Sequence, residues 1–342
     1  MVKFQNTFVP EGKNISIICF KQTIYLNGIY FYAQDLIEEL SKTNNVSLYA
    51  NTVFFNSLKP DVKNRINSVH AIPSFSNKVY KWIWSLVVFP FKMLRKNDDL
   101  VIFTAEDIPA LPFGILGKLK VFPFKTSMVV HDLAEYFVGR YSFWKDIYRR
   151  FIVKRLIWAV DYIITVSQKT RDDILTLNFK RNSEISIFYN QVKRKEVIQD
   201  TKCGDFIIYV SGLDYPSKNH LWLIDEYAKI VGNGFKSKLY LVGNAHPNSL
   251  HLSRIEKRIH ELHLEEMVVV KQNVSNEELE ELYRSCLFSV FPSKYEGFGR
   301  PIIESINYGK EVYSTDVGIY QEVKDNSLVH PFHEIHKRVS NE

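Results

Sequence analysis

Residues 291–304 have the sequence FPSKYEGFGRPIIE, which changes from a strand pattern to a helix pattern within a few positions. The apolar run that ends at Phe291 predicts a buried strand, Gly297 and Gly299 predict a loop, and Pro301 suits the first turn of a helix. This order is typical of a parallel β–α unit. We expect the free amides of the helix N-terminus to suit a phosphate group, which the glycines allow to approach the backbone.

Two carboxylates flank the predicted phosphate site. Glu296 precedes the first glycine, and Glu304 lies in the first turns of the predicted helix. Carboxylates are poor ligands for phosphate but good acceptors for the hydroxyl groups of a sugar or a ribose. Acidic residues near a helix start are also favourable on an ordinary surface. The ordered strand, loop and proline, with Lys218 and Asn219 upstream, favour the functional interpretation.

Short β-rich apolar runs alternate with amphipathic helical patterns along nearly the whole chain, which predicts an α/β fold with parallel sheets covered by helices. Strands are predicted at residues 15–19, 46–50, 100–103, 127–130, 162–166, 206–210, 238–242, 267–270 and 287–291. Helices are predicted at residues 29–40, 144–160, 168–177, 221–231, 254–262 and 276–286 and from Pro301. Ser167 is a predicted N-cap, and Ser275 forms a predicted capping box with Glu278.

The polar segment YNQVKRKEVIQDTKCGD, residues 189–205, lacks usable periodicity and separates two such series. We therefore predict two Rossmann-like, doubly wound domains, an N-terminal one at 1–192 and a C-terminal one at 193–342. Two sheets of this kind would face each other across a cleft, where ligands bind at the carboxyl ends of the strands.

Composition predicts a globular cytoplasmic protein, since 46% of the 342 residues are hydrophobic and 24% are charged. No apolar run reaches the roughly 18 residues that a transmembrane helix needs, and the polar start lacks a secretory signal pattern. Cys19, Cys203 and Cys286 are far apart in apolar surroundings and are predicted to be buried thiols. A polar tail carries three regularly spaced histidines without acidic or cysteine co-ligands, so a metal site there is disfavoured; they are His330, His333 and His336.

The charge is divided unevenly along the chain. Residues 1–195 hold 28 basic and 16 acidic side chains, whereas residues 196–342 hold 16 and 22, which suggests that the first half faces something anionic. Segments 78–96 and 140–155 mix aromatic and basic residues, which is typical either of core helices with solvated basic ends or of contact with an anionic membrane surface. Nucleic-acid binding is disfavoured because no recognition module is present.

The stretch at 291–304 resembles the E-x7-E signature of the family 4 retaining glycosyltransferases. Further segments resemble the family in the same order, over residues 15 to 323. They are the Asn27-Gly28 loop, VVHDL at 129–133, ITVS at 164–167, FYN at 188–190, FIIYVSGLDYPSKN at 206–219 and KLYLVGN ending at Asn244. The resemblance implies two Rossmann-like domains in the arrangement called GT-B, a nucleotide-sugar donor, retention at the anomeric carbon and no metal cofactor.

The resemblance also implies roles for single residues. Glu296 would be the active-site glutamate near the donor sugar, Lys218 the cation at the diphosphate, and His131 would approach the transferred sugar from the other domain. The implied donor-binding residues are Gly28, Lys218, Phe298, Gly299, Arg300 and Glu304, with Glu304 holding the ribose.

One departure from the family pattern affects the diphosphate site. Where the family commonly has G-R-L, this chain has Ser211-Gly212-Leu213, so the arginine that partners Lys218 is missing. Arg300 stands at a position that is usually aliphatic in the family. It is a candidate to reach the diphosphate from the other side, and a solvated side chain is the alternative.

The resulting functional prediction is a retaining, metal-independent glycosyltransferase that moves a sugar from a nucleotide-sugar donor to a glycan or lipid-linked acceptor. Assembly of lipopolysaccharide, O-antigen or another surface polysaccharide is the expected setting, and GDP-mannose is the guess for the donor. A peripheral position on the inner face of the plasma membrane would fit the basic first half. Two alternatives stay open: a nucleotide-sugar epimerase or hydrolase of similar fold, and a non-catalytic protein that binds sugar nucleotides.

Overall fold

The computed structural model describes residues 4–20, 28–73, 77–94, 96–139, 143–192 and 204–340. The chain divides into two compact units. The described residues within Lys3–Glu135 and Phe143–Gln191 form the first unit, and those within Tyr136–Ser142 and Val192–Glu342 form the second.

The first unit is built on a seven-stranded parallel sheet with the strand order β3-β2-β1-β4-β5-β6-β7. Its strands are β1 Asn14–Cys19, β2 Asn45–Ala50, β3 Ser68–Ala71, β4 Leu100–Phe103, β5 Lys125–Val130, β6 Tyr162–Thr165 and β7 Ile185–Ile187. Its helices are α1 Gly28–Leu40, α2 Thr52–Ser57, α3 Pro60–Arg65, α4 Lys78–Ile83, α5 Phe89–Met93, α6 Ala110–Lys118, α7 Ala134–Phe137, α8 Phe143–Ala159 and α9 Gln168–Thr176, of which α7 runs into the second unit. A π-helical turn, Trp84–Val88, joins α4 to α5.

The second unit is built on a six-stranded parallel sheet with the strand order β10-β9-β8-β11-β12-β13. Its strands are β8 Phe206–Val210, β9 Lys238–Val242, β10 Val268–Lys271, β11 Ser289–Phe291, β12 Val312–Ser314 and β13 Val329–Pro331. Its helices are α10 His220–Gly232, α11 Leu250–Glu261, α12 Asn276–Ser285, α13 Arg300–Asn307, α14 Tyr320–Val323 and α15 Ile335–Val339.

Both sheets have the strand order of a Rossmann-like fold, so the predicted class is confirmed. Parallel neighbours need a crossover, and helices supply it by covering the sheet faces. The central strands are therefore buried along nearly their whole length, as β1 and β8 are. Where a new helix begins, a side chain often caps it: Ser167 Oγ accepts from the Thr170 amide at 3.2 Å, and Ser275 Oγ accepts from the Glu278 amide at 3.1 Å.

The prediction that the cysteines are buried thiols is confirmed for Cys19 and Cys286, which are both buried and free. Burial raises the pKa of the Cys19 thiol to about 12, so it stays protonated at neutral pH. Cys203 lies outside the described residues. No helix in the described part of the chain is long and apolar enough to cross a lipid bilayer.

Candidate functional site

The predicted motif lies where the strand order of the second sheet reverses. β8 and β11 are neighbours, with Ile208 opposite Ser289, but their chain connections leave toward opposite edges of the sheet. Loops that follow such strands diverge and leave a crevice between them, which is where ligands of doubly wound sheets bind. The two loops here are residues 211–219 after β8 and residues 292–299 after β11.

In the loop after β8, Lys218 is the last residue of a short 3-10 turn, Pro216–Lys218. Asn219 then takes a left-handed conformation with φ of 65°, and α10 begins at the next residue. Asparagine tolerates this conformation better than most residues because its short polar side chain bonds locally. Here the Asn219 Nδ2 donates to the Pro292 carbonyl at 3.2 Å, which ties this loop to the loop after β11.

A buried tyrosine and a backbone bond fix the two loops further. The hydroxyl of Tyr209, which is fully buried, donates to the Lys218 carbonyl at 2.8 Å and lies 3.0 Å from Ser293 Oγ. The Lys294 amide donates to the Ser217 carbonyl at 2.8 Å. Burial, and next the nearby charge of Glu296, raises the pKa of Tyr209, so its phenol remains a neutral donor.

The two loops bring Lys218 and Glu296 into direct contact. Lys218 Nζ lies 2.6 Å from Glu296 Oε1, and the two side chains are only 21% and 13% exposed. Partial removal from water strengthens a charged hydrogen bond of this kind. A cation and a carboxylate therefore stand together at the mouth of the crevice, where one can meet an anionic group and the other a developing positive charge.

The loop after β11 ends at Gly299, in a backbone conformation that only a residue without a Cβ adopts easily. Gly299 has φ of 88° and forms the N-cap position of α13, so the positive end of the dipole of this helix follows it directly. Pro301 carries no N–H and the Ile302 amide donates to the Gly299 carbonyl at 3.0 Å, so these two positions do not supply the free amides that the sequence predicted. Phe298 is 5% exposed, and its carbonyl accepts from the Ile319 amide at 2.7 Å. A Cβ added to Gly318 would lie 2.2 Å from that carbonyl oxygen, so the backbone behind the loop is closely packed.

Glu304 projects from α13 and has a partner at each carboxylate oxygen. The Tyr283 hydroxyl donates to Glu304 Oε2 at 2.9 Å, and Arg300 Nε lies 3.6 Å from Glu304 Oε1. Burial, followed by the charge of Glu304, raises the pKa of Tyr283 well above its usual value. Arg300, the residue that departs from the family pattern, is thus paired with the second carboxylate of the motif.

The segment with the missing arginine lies close to the next βα loop. A Cβ on Gly243 would lie 1.8 Å from the Ser211 carbonyl oxygen, and the Leu213 amide donates to the Asn244 carbonyl at 3.0 Å. Ser211 Oγ is 2.9 Å from Nε2 of His220, which is fully buried. Burial, and then the positive charge that His251 would carry, lowers the pKa of His220 to about 3. The imidazole of His220 is therefore neutral at neutral pH.

Two predicted site residues, His131 and Gly28, lie in the first unit. His131 follows β5, its amide donates to Glu106 Oε1 at 2.8 Å, and its Nε2 lies 2.8 Å from the Thr104 carbonyl oxygen. A carbonyl only accepts, so the Nε2 carries the proton. Gly28 is the first residue of α1 and is exposed, while Asn27 falls outside the described residues. The other six predicted site residues lie together in the second unit.

The histidines of the tail do not converge. The His330 ring stacks on Tyr313 with centroids 5.0 Å apart, and His336 Nε2 lies 3.5 Å from Glu226 Oε2. Among the residues that the structure describes, no group of three or more His, Cys, Asp or Glu side chains has an arrangement that could hold a metal ion.

Tyr209 and Tyr283 are not among the site residues that the sequence predicted. Tyr209 belongs to a strand that was predicted from its apolar pattern, and Tyr283 belongs to a predicted helix, so both fit ordinary core positions. Their hydroxyls reach the two loops only through tertiary packing, and the one available signal was a polar atom in an apolar position.

Two family models match the chain. The model described as Glycosyltransferase Family 4 matches residues 26–195, and the model described as Glycosyl transferases group 1 matches residues 191–330. The two matches meet at residues 191–195, and together they span both units.

Several of the curated proteins that this chain resembles are mannosyltransferases. The O-antigen chain mannosyltransferase RfbU of Salmonella typhimurium is 26% identical over 234 residues, which cover 68% of this chain and 61% of the relative. The MMP alpha-(1->4)-mannosyltransferase of Mycolicibacterium hassiacum is 28% identical over 178 residues, which cover 50% of this chain and 40% of the relative. The chain thus spans about three fifths or less of the length of these relatives.

Among solved structures, Anabaena Alr3699/HepE in complex with UDP and glucose superposes with a TM-score of 0.70 over 96% of this chain and 89% of that chain, at 18% identity. At that identity the similarity supports the fold. The two matched models, the two Rossmann-like sheets and the E-x7-E loop at the switch point of the second sheet agree with one another, and the chain belongs to the family 4 glycosyltransferases.

Proposed function

We propose that this protein transfers a sugar, with retention of configuration, from a nucleotide-sugar donor to a glycan acceptor in the assembly of O-antigen or another surface polysaccharide. The observation that carries the proposal is the contact of Lys218 with Glu296 beside the helix N-terminus that begins after Gly299. The Lys218 cation and the positive end of the α13 dipole suit the diphosphate, and the Glu296 carboxylate suits the sugar that it carries.

The donor would lie along the two loops of the second unit. The diphosphate would meet Lys218 and the N-terminal end of α13 after Gly299, with the backbone of Phe298 close to the sugar, and Glu304 would accept hydrogen bonds from the hydroxyls of the ribose. The mannosyltransferase relatives support mannose as the transferred sugar, whereas the solved neighbour holds UDP and glucose. The base and the sugar are therefore matters for direct measurement.

The proposed mechanism is electrostatic and needs no metal. As the bond from the anomeric carbon to the diphosphate oxygen breaks, positive charge grows on the sugar and negative charge grows on the leaving group. Glu296 would stabilise the sugar, and Lys218 and the dipole of α13 would stabilise the diphosphate. The acceptor hydroxyl would attack from the face that the diphosphate leaves, and the departing phosphate oxygen would take its proton. His131 and Gly28 of the first unit would contact the sugar and the donor phosphates.

A ligand screen followed by product analysis tests this function. We expect one nucleotide among UDP, GDP, dTDP, CMP and ADP to raise the melting temperature, since a ligand at a hundred times its Kd stabilises the folded state by about 2.7 kcal/mol. The matching sugar nucleotide should then yield a glycoside only when an acceptor is supplied. Release of free sugar or a new epimer without acceptor would support the hydrolase or epimerase alternative, and a donor that binds without turnover would support the non-catalytic one.

We further propose that the chain works at the inner face of the plasma membrane through the first unit. More than half of the exposed large apolar side chains in the described part of the chain lie on α4, α5, the π turn between them, α6 and α8. α6 packs against both the π turn and α8. It approaches α8 so closely that a Cβ on Gly114 would lie 2.4 Å from the backbone of Ala159. We call this set of helices the basic aromatic surface.

The charge on the basic aromatic surface is one-sided. Asp146 is the one acidic residue in the sequence of segments 78–96, 110–121 and 143–159, and it is buried. The exposed basic side chains of these three segments are Lys81, Lys92, Lys118, Lys120, Lys145, Arg150, Lys154 and Arg155. Exposed aromatic rings stand among them, with Trp144 76% and Phe143 71% exposed. Aromatic rings and basic groups on one set of helices suit the interface of an anionic bilayer.

We expect the protein to sediment with vesicles that contain phosphatidylglycerol and to leave them as salt rises. Each basic residue near such a surface contributes about 1 kcal/mol, and the attraction decays over about 8 Å at physiological ionic strength. Changing Lys81, Lys92 and Lys145 to Gln should therefore weaken vesicle binding by on the order of a hundredfold.

The matched control changes three exposed lysines of the second unit, Lys229, Lys236 and Lys257, to Gln, which alters the net charge equally. Equal loss of vesicle binding in both triple variants would mean that net charge alone attracts the protein. If the wild-type protein ignores these vesicles at low salt, the membrane proposal fails, and the basic surface would instead serve a soluble anionic acceptor.

A further inference from the structure

Glu304 is held at both of its carboxylate oxygens by side chains that the family motif does not assign. We propose that Tyr283 and Arg300 are positioning residues that orient the Glu304 carboxylate toward the ribose, so that together they set the preference of the site for a ribonucleotide over a deoxynucleotide. The inference rests on the proposed function, because it takes Glu304 as the acceptor for the ribose hydroxyls.

Tyr283 is placed rigidly. It lies on α12, its side chain is 1% exposed, and its ring stacks on Tyr308 with centroids 5.4 Å apart and an interplanar angle of 9°. Arg284 covers the same Tyr308 ring, with Cζ 5.8 Å from the centroid. A stacked, buried ring has little rotational freedom, so the Tyr283 hydroxyl marks a fixed point for Glu304 Oε2 at 2.9 Å.

Arg300 approaches the opposite oxygen from within the same helix. It is the first residue of α13, one turn before Glu304, which is the spacing at which side chains of a helix meet. Its Nε lies 3.6 Å from Glu304 Oε1, and both side chains are less than one quarter exposed. The Arg300 guanidinium also offsets the negative charge of Glu304, which lies near the N-terminus of α13 where we propose that the diphosphate binds.

The two contacts leave acceptor capacity on the carboxylate. A carboxylate has about four lone-pair sites, so the hydrogen bond from Tyr283 and the ion pair with Arg300 leave room for further hydrogen bonds. A ribose hydroxyl would bind here by donating to one of the remaining lone pairs. Because Tyr283 and Arg300 fix the plane of the carboxylate, its remaining lone pairs have a set direction, which is what discrimination between ribose and deoxyribose requires.

The test compares each ribonucleotide with its 2′-deoxy form by calorimetric titration, using GDP with 2′-deoxy-GDP and UDP with 2′-deoxy-UDP. For the nucleotide that the wild-type protein binds, we expect a ribose preference of about tenfold to a hundredfold, the usual range for a hydrogen bond to a charged group. Tyr283→Phe keeps the stacked ring and removes the hydroxyl. This change should reduce the ribose preference by about threefold to tenfold, mainly by weakening the binding of the ribonucleotide. Arg300→Leu should reduce the preference as well.

Tyr227→Phe is the matched control. Tyr227 is also buried in the second unit, but its hydroxyl donates to the Ser237 carbonyl at 2.6 Å. This variant should lose stability and keep the wild-type ribose preference. The role of Tyr283 would be overturned if Tyr283→Phe left the ribose preference unchanged or weakened the binding of both nucleotides equally. If Arg300→Leu weakened the binding of both nucleotides equally, Arg300 would be assigned to the diphosphate instead. If the wild-type protein binds no nucleotide at all, the proposed function itself fails.

Discussion

Glu296→Gln is expected to lower kcat for sugar transfer by about a hundredfold or more while the protein remains folded. The side chain keeps nearly the same volume, but it loses the charge that would stabilise the sugar as positive charge develops on it. In the free protein the change also removes the ion pair with Lys218 at 2.6 Å, which leaves the lysine available to the donor diphosphate. We therefore expect donor affinity to fall far less than kcat.

Glu226→Gln provides a matched comparison, because Glu226 is 16% exposed and pairs with Lys229 at 2.7 Å, further along α10 than the loop that carries Lys218. Single-turnover rates and nucleotide titrations of both variants separate chemistry from binding. Near-normal turnover of Glu296→Gln in a folded protein would end the catalytic assignment of this glutamate.

Lys218→Ala should weaken both donor binding and turnover. The ammonium meets a diphosphate whose negative charge grows as the glycosidic bond breaks, so its loss affects the transition state more than the bound donor. A charged hydrogen bond of this type corresponds to about tenfold to a hundredfold in affinity, and the loss in kcat/KM should be larger.

Titration of the nucleoside diphosphate, with Lys229→Ala as the control for a lost surface lysine, measures the binding part of the Lys218→Ala effect. Because the lysine is assigned to phosphate, ribonucleotides and deoxynucleotides should weaken to the same extent. Loss of kcat with unchanged nucleotide affinity would instead assign Lys218 to the positioning of Glu296.

The sequence predicted those elements whose patterns are long or sharply bounded. The strands at 100–103, 206–210 and 238–242 have the predicted bounds, and the long helices differ by one to four residues at their ends. The missed strands β3, β7, β12 and β13 have three or four residues each and contain polar residues or proline, whereas the equally short β4 is wholly apolar. They form because neighbouring strands offer an open edge for pairing, which is a property of the assembled sheet.

The candidate site was predictable to a similar degree. Glu296, Glu304 and Lys218 were found because glycines, a proline and chain order mark the loops that carry them. Their predicted roles await the measurements above. The contact between Lys218 and Glu296 spans 78 positions, and Tyr283 reaches Glu304 from another helix. Local sequence patterns do not predict such long-range side-chain contacts, because the packing of β8, β11, α12 and α13 determines them.

The hydrogen bonds that join the loops after β8 and β11 affect how a donor would be recognised. Tyr209, Asn219 and the Lys294 amide hold both loops in place through hydrogen bonds within the second unit. The entropy lost in ordering these loops is therefore lost during folding, and association with a nucleotide need not supply it again. Binding to such a preorganised surface should resemble the docking of two rigid shapes, with affinity differences among nucleotides expressed mainly in their residence times.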